Sequence, residues 1–353
     1  MQVYFGTYTD APFGQGEGIY RADFDPETGT LSPLTVVATP SNPSWIVANA
    51  DGSVLYVTAE GDAGQVIAYR RDVVTGALTE INRVSSEGAS PCYASVTQDG
   101  RFVLTANYTS ATIAIAPIAE DGGLVAATDT AAHHGSSVVG DRQGEAHAHS
   151  IVQTPDGGWA LVADLGTDEL VAHRLDLASG TFRDGEGDVV ATAVTPGAGP
   201  RHIAFSPDGT TAYVINELDS TLSAYAWDAT TGTLTLRQTV STLPADFTDT
   251  NYPAQVLVSA DGRFVYGSNR LFDSIATWSV DAETGELALI DQTQVGAYPR
   301  NFAISPDGRW VIALAQQGDD LRVLARDGET GLLSPTGEPI AIPNPAVVTF
   351  VGA

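Results

Sequence analysis

The segment Pro200-Arg-His-Ile-Ala-Phe-Ser-Pro-Asp-Gly-Thr-Thr-Ala-Tyr-Val-Ile-Asn-Glu217 puts Arg201 and His202 at one end and Asn216 and Glu217 at the other. Ser-Pro-Asp-Gly in its centre is a turn, and the flanking aromatic and β-branched residues read as two strands. Antiparallel pairing then brings Arg201 and Glu217 to the same end of a hairpin. A guanidinium binds anions through a planar fork, while an imidazole and a carboxylate can move protons. Such a set suits attack of water on an ester or lactone. In one isolated hairpin, however, a cross-strand ion pair is the commoner outcome. Repetition of the pattern decides between the two.

The pattern does repeat. Asp-Gly turns recur at Gly52, Gly100, Gly157, Gly209, Gly262 and Gly308, spaced by 48, 57, 52, 53 and 46 residues. Nine residues before each stands Pro43, Pro91, Ala148, Pro200, Pro253 or Pro299, and eight after stands Glu60, Tyr108, Leu165, Glu217, Arg270 or Gln316. A second signature, Thr-Gly-x-Leu or a close variant, occurs seven times between Gly29 and Gly331. Units of about 50 residues with four strands each indicate a β-propeller. Seven units predict seven blades. The first segment, Met1–Tyr8, aligns with the returning strand Ser53–Glu60, and the last, from Pro345, aligns with an outgoing strand that stops before its turn. The C-terminal strand is therefore expected to pair with the three N-terminal ones, closing one all-β domain over residues 1–353 and removing its free sheet edges.

In a propeller the innermost strands line a central channel, and their marked ends share one face. Positions directly after the proline marks are Ser44, Cys92, His149, Arg201, Ala254, Arg300 and Ala346. The next positions include Trp45, Tyr93, His202 and Gln255, and the returning ends supply Asp164, Asn216, Glu217, Asn269, Arg270 and Gln316. Strict alternation would turn about half of these toward the channel. Cations and proton-transfer groups converging at equivalent places favour a functional site over scattered ion pairs. The third repeat also carries an insertion, Ala131–His149, of the kind that can wall such a site. His147-Ala-His149 with Asp164 has a metal-like spacing, but two histidines are too few for a structural zinc set and no metal is expected. No Gly-x-Ser-x-Gly elbow is present, and Gly14-Gln-Gly-Glu-Gly18 opens no helix, so a serine hydrolase and a nucleotide loop are not indicated.

Composition narrows the partners. There are 43 acidic residues against 16 basic ones, all arginine, for a formal net charge of −27. Neither nucleic acid nor an anionic membrane suits such a chain. No apolar run reaches membrane-spanning length and the N-terminus already reads as a strand, so the expected location is the cytoplasm. The lone Cys92 excludes an internal disulfide.

These motifs carry a resemblance. Gly6-Thr-Tyr-Thr9, Glu17-Gly-Ile-Tyr20, His147-Ala-His-Ser150, Ala163-Asp-Leu-Gly166, Gly199-Pro-Arg-His202, Ile215-Asn-Glu-Leu218, Ser268-Asn-Arg270 and Pro299-Arg-Asn-Phe302 resemble the seven-bladed propeller lactonases. That family includes propeller-type 6-phosphogluconolactonases and the fungal carboxy-cis,cis-muconate cyclase. The resemblance implies lactone chemistry with no required metal or organic cofactor. It also implies a catalytic set of His149, Arg201, Glu217 and Arg270. Leu271 and Gln255 depart from the family pattern, which has glycine and glutamate there.

The expectation is thus a lactonase for a small anionic sugar lactone, foremost 6-phospho-D-glucono-1,5-lactone, in the pentose phosphate pathway. Either His149 or Glu217 would activate water. Substrate contacts are expected from His147, Asp164, His202, Asn216, Asn269, Arg300 and Gln316, in a monomer or weak homo-oligomer. A carboxymuconolactone-type enzyme and a non-catalytic anion- or protein-binding propeller are the alternatives. The dispersed acids fit either a salt-adapted surface or an ordinary acidic protein. Thermal unfolding with and without molar potassium chloride separates these: a salt-adapted chain loses stability when salt is removed, and an unchanged midpoint excludes the adaptation.

Overall fold

Each Asp-Gly turn folds back an inner hairpin, as its residue types require. In the computed structural model, which describes residues 1–10 and 14–352, the six turn glycines have φ between +68° and +77°. Glycine takes this left-handed conformation without a Cβ penalty. The preceding Asp51, Asp99, Asp156, Asp208, Asp261 and Asp307 each accept the backbone N–H two residues on. Asp25, Asp72, Asp176, Asp228, Asp281 and Asp327 do the same ahead of the Thr-Gly turns. The acids at turns are thus more than a solvated shell, since these twelve fasten the backbone.

Seven antiparallel sheets of four strands follow, two of them with the outermost strand broken into two pieces. The inner strands are Pro345–Val351, Trp45–Ala48, Pro91–Val96, Ala148–Gln153, Pro200–Phe205, Pro253–Val258 and Pro299–Ile304 for blades one to seven. Blade one pairs Pro345–Val351 with Gln2–Thr7 in the register Gln2↔Val351 to Gly6↔Val347. This is the closure expected from the repeats. Among the described residues the only helix is Gly140–Gln143, inside the insertion, and no helix is long and apolar enough to cross a membrane.

The hydrophobic core lies between blades, not within them. One cluster packs Trp159, Leu161 and Leu170 of blade four against Ile203, Val214 and Tyr225 of blade five. Another packs Val3, Phe5 and Phe24 of blade one against Ile312, Leu314 and Leu321 of blade seven, so the circle is complete. The Thr-Gly turns lock these interfaces. Gly232 lies flat on the Trp159 ring, where an added Cβ would sit 2.6 Å from a ring carbon, and Gly29 meets Trp310 at 2.3 Å in the same sense. No other residue fits there.

A register irregularity marks the channel end of six inner strands. In blade five Pro200 pairs with Asn216 and His202 with Ile215, which leaves Arg201 as the extra residue of a β-bulge. Cys92, His149 and Arg300 occupy the same place in their blades, and blades one and six are irregular at the corresponding step. A bulge breaks strict alternation and re-aims a side chain. Consecutive residues such as Arg201 and His202 therefore both turn inward, which simple alternation would forbid.

Closure gives a direct test. The C-terminal strand buries Ala346, Val347, Val348 and Val351. At about 1.5–3 kcal/mol per buried aliphatic side chain, losing it approaches the whole stability of an ordinary domain, about 5–15 kcal/mol. A chain ending at Asn344 should lose its cooperative thermal transition in circular dichroism. A melt within a few degrees of the full chain would contradict this role.

Candidate active site

The two kinds of marked position converge on one cavity of about 430 Å³ at the bulged end of the channel. Tyr8, Glu60, Tyr108, Glu217, Arg270 and Gln316 line it, and all come from the position one step beyond the returning strand. Cys92, His149 and Arg300 line it from the bulges, joined by Tyr298, Gln317 and, from the insertion, Arg142. Every blade contributes.

Glu217 is the electrostatic centre. Its Oε2 lies 2.6 Å from Arg270 and 2.9 Å from Nε of Arg201, and its Oε1 accepts from Arg142 at 2.5 Å. Burial alone would raise its carboxyl pKa, but Arg270, Arg201 and Arg142 together overcome this and hold it down at about 2. Glu217 is therefore a fixed anion and a weak base. Arg201 lies beneath it, 2% exposed, and donates to the Ala254 carbonyl and to Nε2 of His202. Burial first, then Arg270 and Arg300, lower the Arg201 pKa to about 9, so it stays charged at neutral pH. Arg270 donates to the Tyr252 and Pro253 carbonyls and to the Tyr298 hydroxyl.

His149 is the group with an open nitrogen. The Cys92 thiol donates to the His149 carbonyl at 3.2 Å, and its sulfur faces Nδ1 at 3.8 Å. That sulfur lone pair favours the proton on Nδ1, leaving Nε2 as an acceptor without a protein partner among the described residues. Burial, followed by Arg201, His202 and Arg300, drives the His149 pKa well below 6.5. It is a neutral imidazole at physiological pH. Cys92 itself is pushed up to about 12 by burial and stays a thiol.

A second polar group occupies the blade seven, one and two sector. Arg300 donates to the Tyr8 hydroxyl at 2.8 Å, and that hydroxyl donates to Glu60 at 2.9 Å. Gln316 Oε1 is buried without a hydrogen-bond partner. Four arginines against Glu60 and Glu217 make this a local positive well in a chain of net charge −27.

Not all expected residues meet here. Asn216 donates to Thr221 and Ser223, and Asn269 to the Thr242 carbonyl and Ser274. Both pair in register with a proline mark, so alternation turns them into the blade and sends the next residue to the cavity. Asp164 is likewise spent, accepting from the backbone of His147, Gly166 and Thr167 and from the His133 ring. His147 donates to the Tyr108 carbonyl and stacks on its ring at 4.4 Å, bracing Tyr108 from behind. His202 sits below the cavity against Trp45, Tyr93 and His149, and its Nδ1 donates to Gln255. Arg142, Tyr8, Glu60, Tyr108, Tyr298 and Gln317 were not among the expected contacts. Glu60 and Tyr108 stood at the repeat marks that located Glu217. The insertion gave the only signal for Arg142.

A larger cleft of about 540 Å³ opens between blades five and six at the Asp-Gly end. Asp208, Asp261, Asp281 and Glu283 outnumber Arg237 and Arg263 there, and it has no imidazole. It suits an anionic substrate poorly.

Residues 2–350 match the family model described as "Lactonase, 7-bladed beta-propeller". A relative in Bacillus subtilis (strain 168), named 6-phosphogluconolactonase, is 39% identical over 290 residues, covering 82% of this chain and 80% of that one. One of the same name in Formosa agariphila is 29% identical over 294 residues, covering 82% and 81%. The solved Pseudomonas aeruginosa periplasmic gluconolactonase superposes with a TM-score of 0.92 at 33% identity, covering 99% of both chains.

The Glu217 cluster predicts a stability cost. Replacing Glu217 by alanine leaves the buried Arg201 and Arg270 uncompensated, which should cost about 3–5 kcal/mol. Urea unfolding of the variant measures it, and a loss below about 1 kcal/mol would mean that the three arginines do not depend on this carboxylate.

Proposed function

The chain belongs to the seven-bladed β-propeller lactonase family, and from that premise we propose that it hydrolyses 6-phospho-D-glucono-1,5-lactone to 6-phosphogluconate in the pentose phosphate pathway. One observation carries the choice: a neutral histidine with a free Nε2 stands in a cavity ringed by arginines, inside a protein that otherwise repels anions. The relative named 6-phosphogluconolactonase at 39% identity supports the same substrate.

In this reading a water held by His149 Nε2 attacks the lactone carbonyl carbon as the imidazole takes its proton. The carbonyl oxygen becomes an oxyanion beside Arg300, whose charge is secured by Tyr8 and Glu60. When the tetrahedral intermediate collapses, the bond from that carbon to the ring oxygen breaks. The imidazolium returns its proton to the departing oxygen, so one water is consumed and His149 ends neutral. Glu217, ionised throughout, holds the cationic wall in register. Gln316 Oε1 is available to a sugar hydroxyl. The proposed compartment is the cytoplasm, where a phosphorylated sugar is retained by its charge, and the proposed state is a monomer or weak homo-oligomer.

The purified protein should accelerate decay of the phosphorylated lactone above its spontaneous rate, and decay at the spontaneous rate would reject the substrate. His149→Ala should lower kcat by about 10²–10⁴-fold and Arg300→Gln by about 10²–10³-fold. The pH profile supplies a sign. A base is lost on acidification through its pKa, and the His149 pKa is depressed well below 6.5. Activity should therefore persist as the pH falls through 6.5, with its acid limb well lower. A limb centred at the ordinary histidine value would assign the base elsewhere.

A further inference from the structure

We infer that Arg142, carried by the insertion in the third repeat, is the residue that reads the substrate's phosphate; this rests on the reading above. Donor accounting leads there. Arg201 and Arg270 are nearly fully buried, at 2% and 6% side-chain exposure; Arg270 donates to the Tyr252 and Pro253 carbonyls, and Arg201 donates to the Ala254 carbonyl and is ion-paired with Glu217 beneath the cavity floor. Arg300 lines the cavity with His149 and is committed to the Tyr8 hydroxyl, and in the mechanism above it serves the oxyanion. Arg142 remains. Its side chain is 33% exposed, it lines the cavity, and its guanidinium is held by Glu217 and the Tyr108 hydroxyl, both groups of the cavity wall, with no backbone carbonyl among the described residues taking its donors. It lies by blades five and six, over the Tyr252 ring, in a different sector from Arg300.

Charge balance points the same way. Glu217 already has two buried guanidiniums, so a third, partly exposed one adds little to stability. Yet the loop is built to deliver it. The neighbouring Gln143 is fully buried, donating to the Leu165 carbonyl and accepting from Val139 N–H. Ser137 donates to Asp168 at 2.6 Å, which also takes the Gly197 and Gly199 N–H groups. A braced loop whose arginine is surplus to the ion cluster and faces open space suits a doubly charged phosphate, which guanidinium forks bind bidentately.

The test compares wild type, Arg142→Gln and Arg142→Lys on 6-phosphoglucono-1,5-lactone and on unphosphorylated glucono-1,5-lactone. Arg142→Gln should lose about 10–100-fold in kcat/KM on the phosphorylated lactone, the range for a charge-assisted contact. That loss should exceed the loss on the unphosphorylated lactone at least about tenfold, and lysine should recover part of it. Equal losses on both lactones, or no loss on either, overturn the assignment, as does a wild type that does not prefer the phosphorylated lactone. A wild type inert toward the phosphorylated lactone rejects the proposed function itself, and Arg142's role with it. Matching thermal midpoints for wild type and Arg142→Gln establish that the loop variant is folded.

Discussion

Pairing between the two ends of the chain is the constraint on which everything else rests. A sheet edge leaves a row of unpaired backbone donors and acceptors, and closure of the ring removes it. Here closure depends on Gln2–Thr7 finding Pro345–Val351, the most distant pairing the chain can make. The site inherits that dependence. Tyr8 continues the first strand, and Arg300, from the last complete blade, donates to its hydroxyl across 292 positions of sequence. Closing so long a loop is entropically slow, so the polar group around Arg300 assembles only when the ring does.

Within the ring, charge is arranged against the grain of the whole molecule. Gathering four arginines around one cavity is costly where the groups are buried, because desolvation opposes every charge. The structure offsets this by giving the guanidiniums fixed oxygen partners: carbonyls of Ala254, Tyr252 and Pro253, and the Glu217 carboxylate. The result is a preformed field. Its second effect is on the histidines, since burial first, and then the same cations that would steady an oxyanion, keep His149 and His202 unprotonated. One set of side chains thus fixes both the wall and the protonation state of the group it faces.

The propeller was legible because its determinants are local and repeated. Glycine at a left-handed turn, aspartate ahead of it and a fixed spacing to proline are readable from one copy and checked by the next. His149, Glu217, Arg270, Arg300 and Gln316 followed from the same spacing and do meet in the cavity. Asn216 and Asn269 miss the cavity by a single residue, because periodicity places a residue at a strand end without saying which way it points; Asp164 is consumed by the backbone of its own turn. The bulges, invisible in the pattern, settle that direction. Arg142 escaped for the opposite reason, since it lies in the one segment without a repeat to compare. Its position is set by long-range contacts such as Gln143 with Leu165, which no spacing rule encodes.

The bulges have a wider consequence. Because the extra residue stands outside the ladder, its side chain can change without disturbing the register of the strand that carries it. Cysteine, histidine and two arginines already share this position in blades three, four, five and seven. The ring is therefore a circle of interchangeable sockets, each swappable one blade at a time. A lineage could move between lactones by editing single sockets, keeping the propeller intact while the chemistry at its mouth diverged.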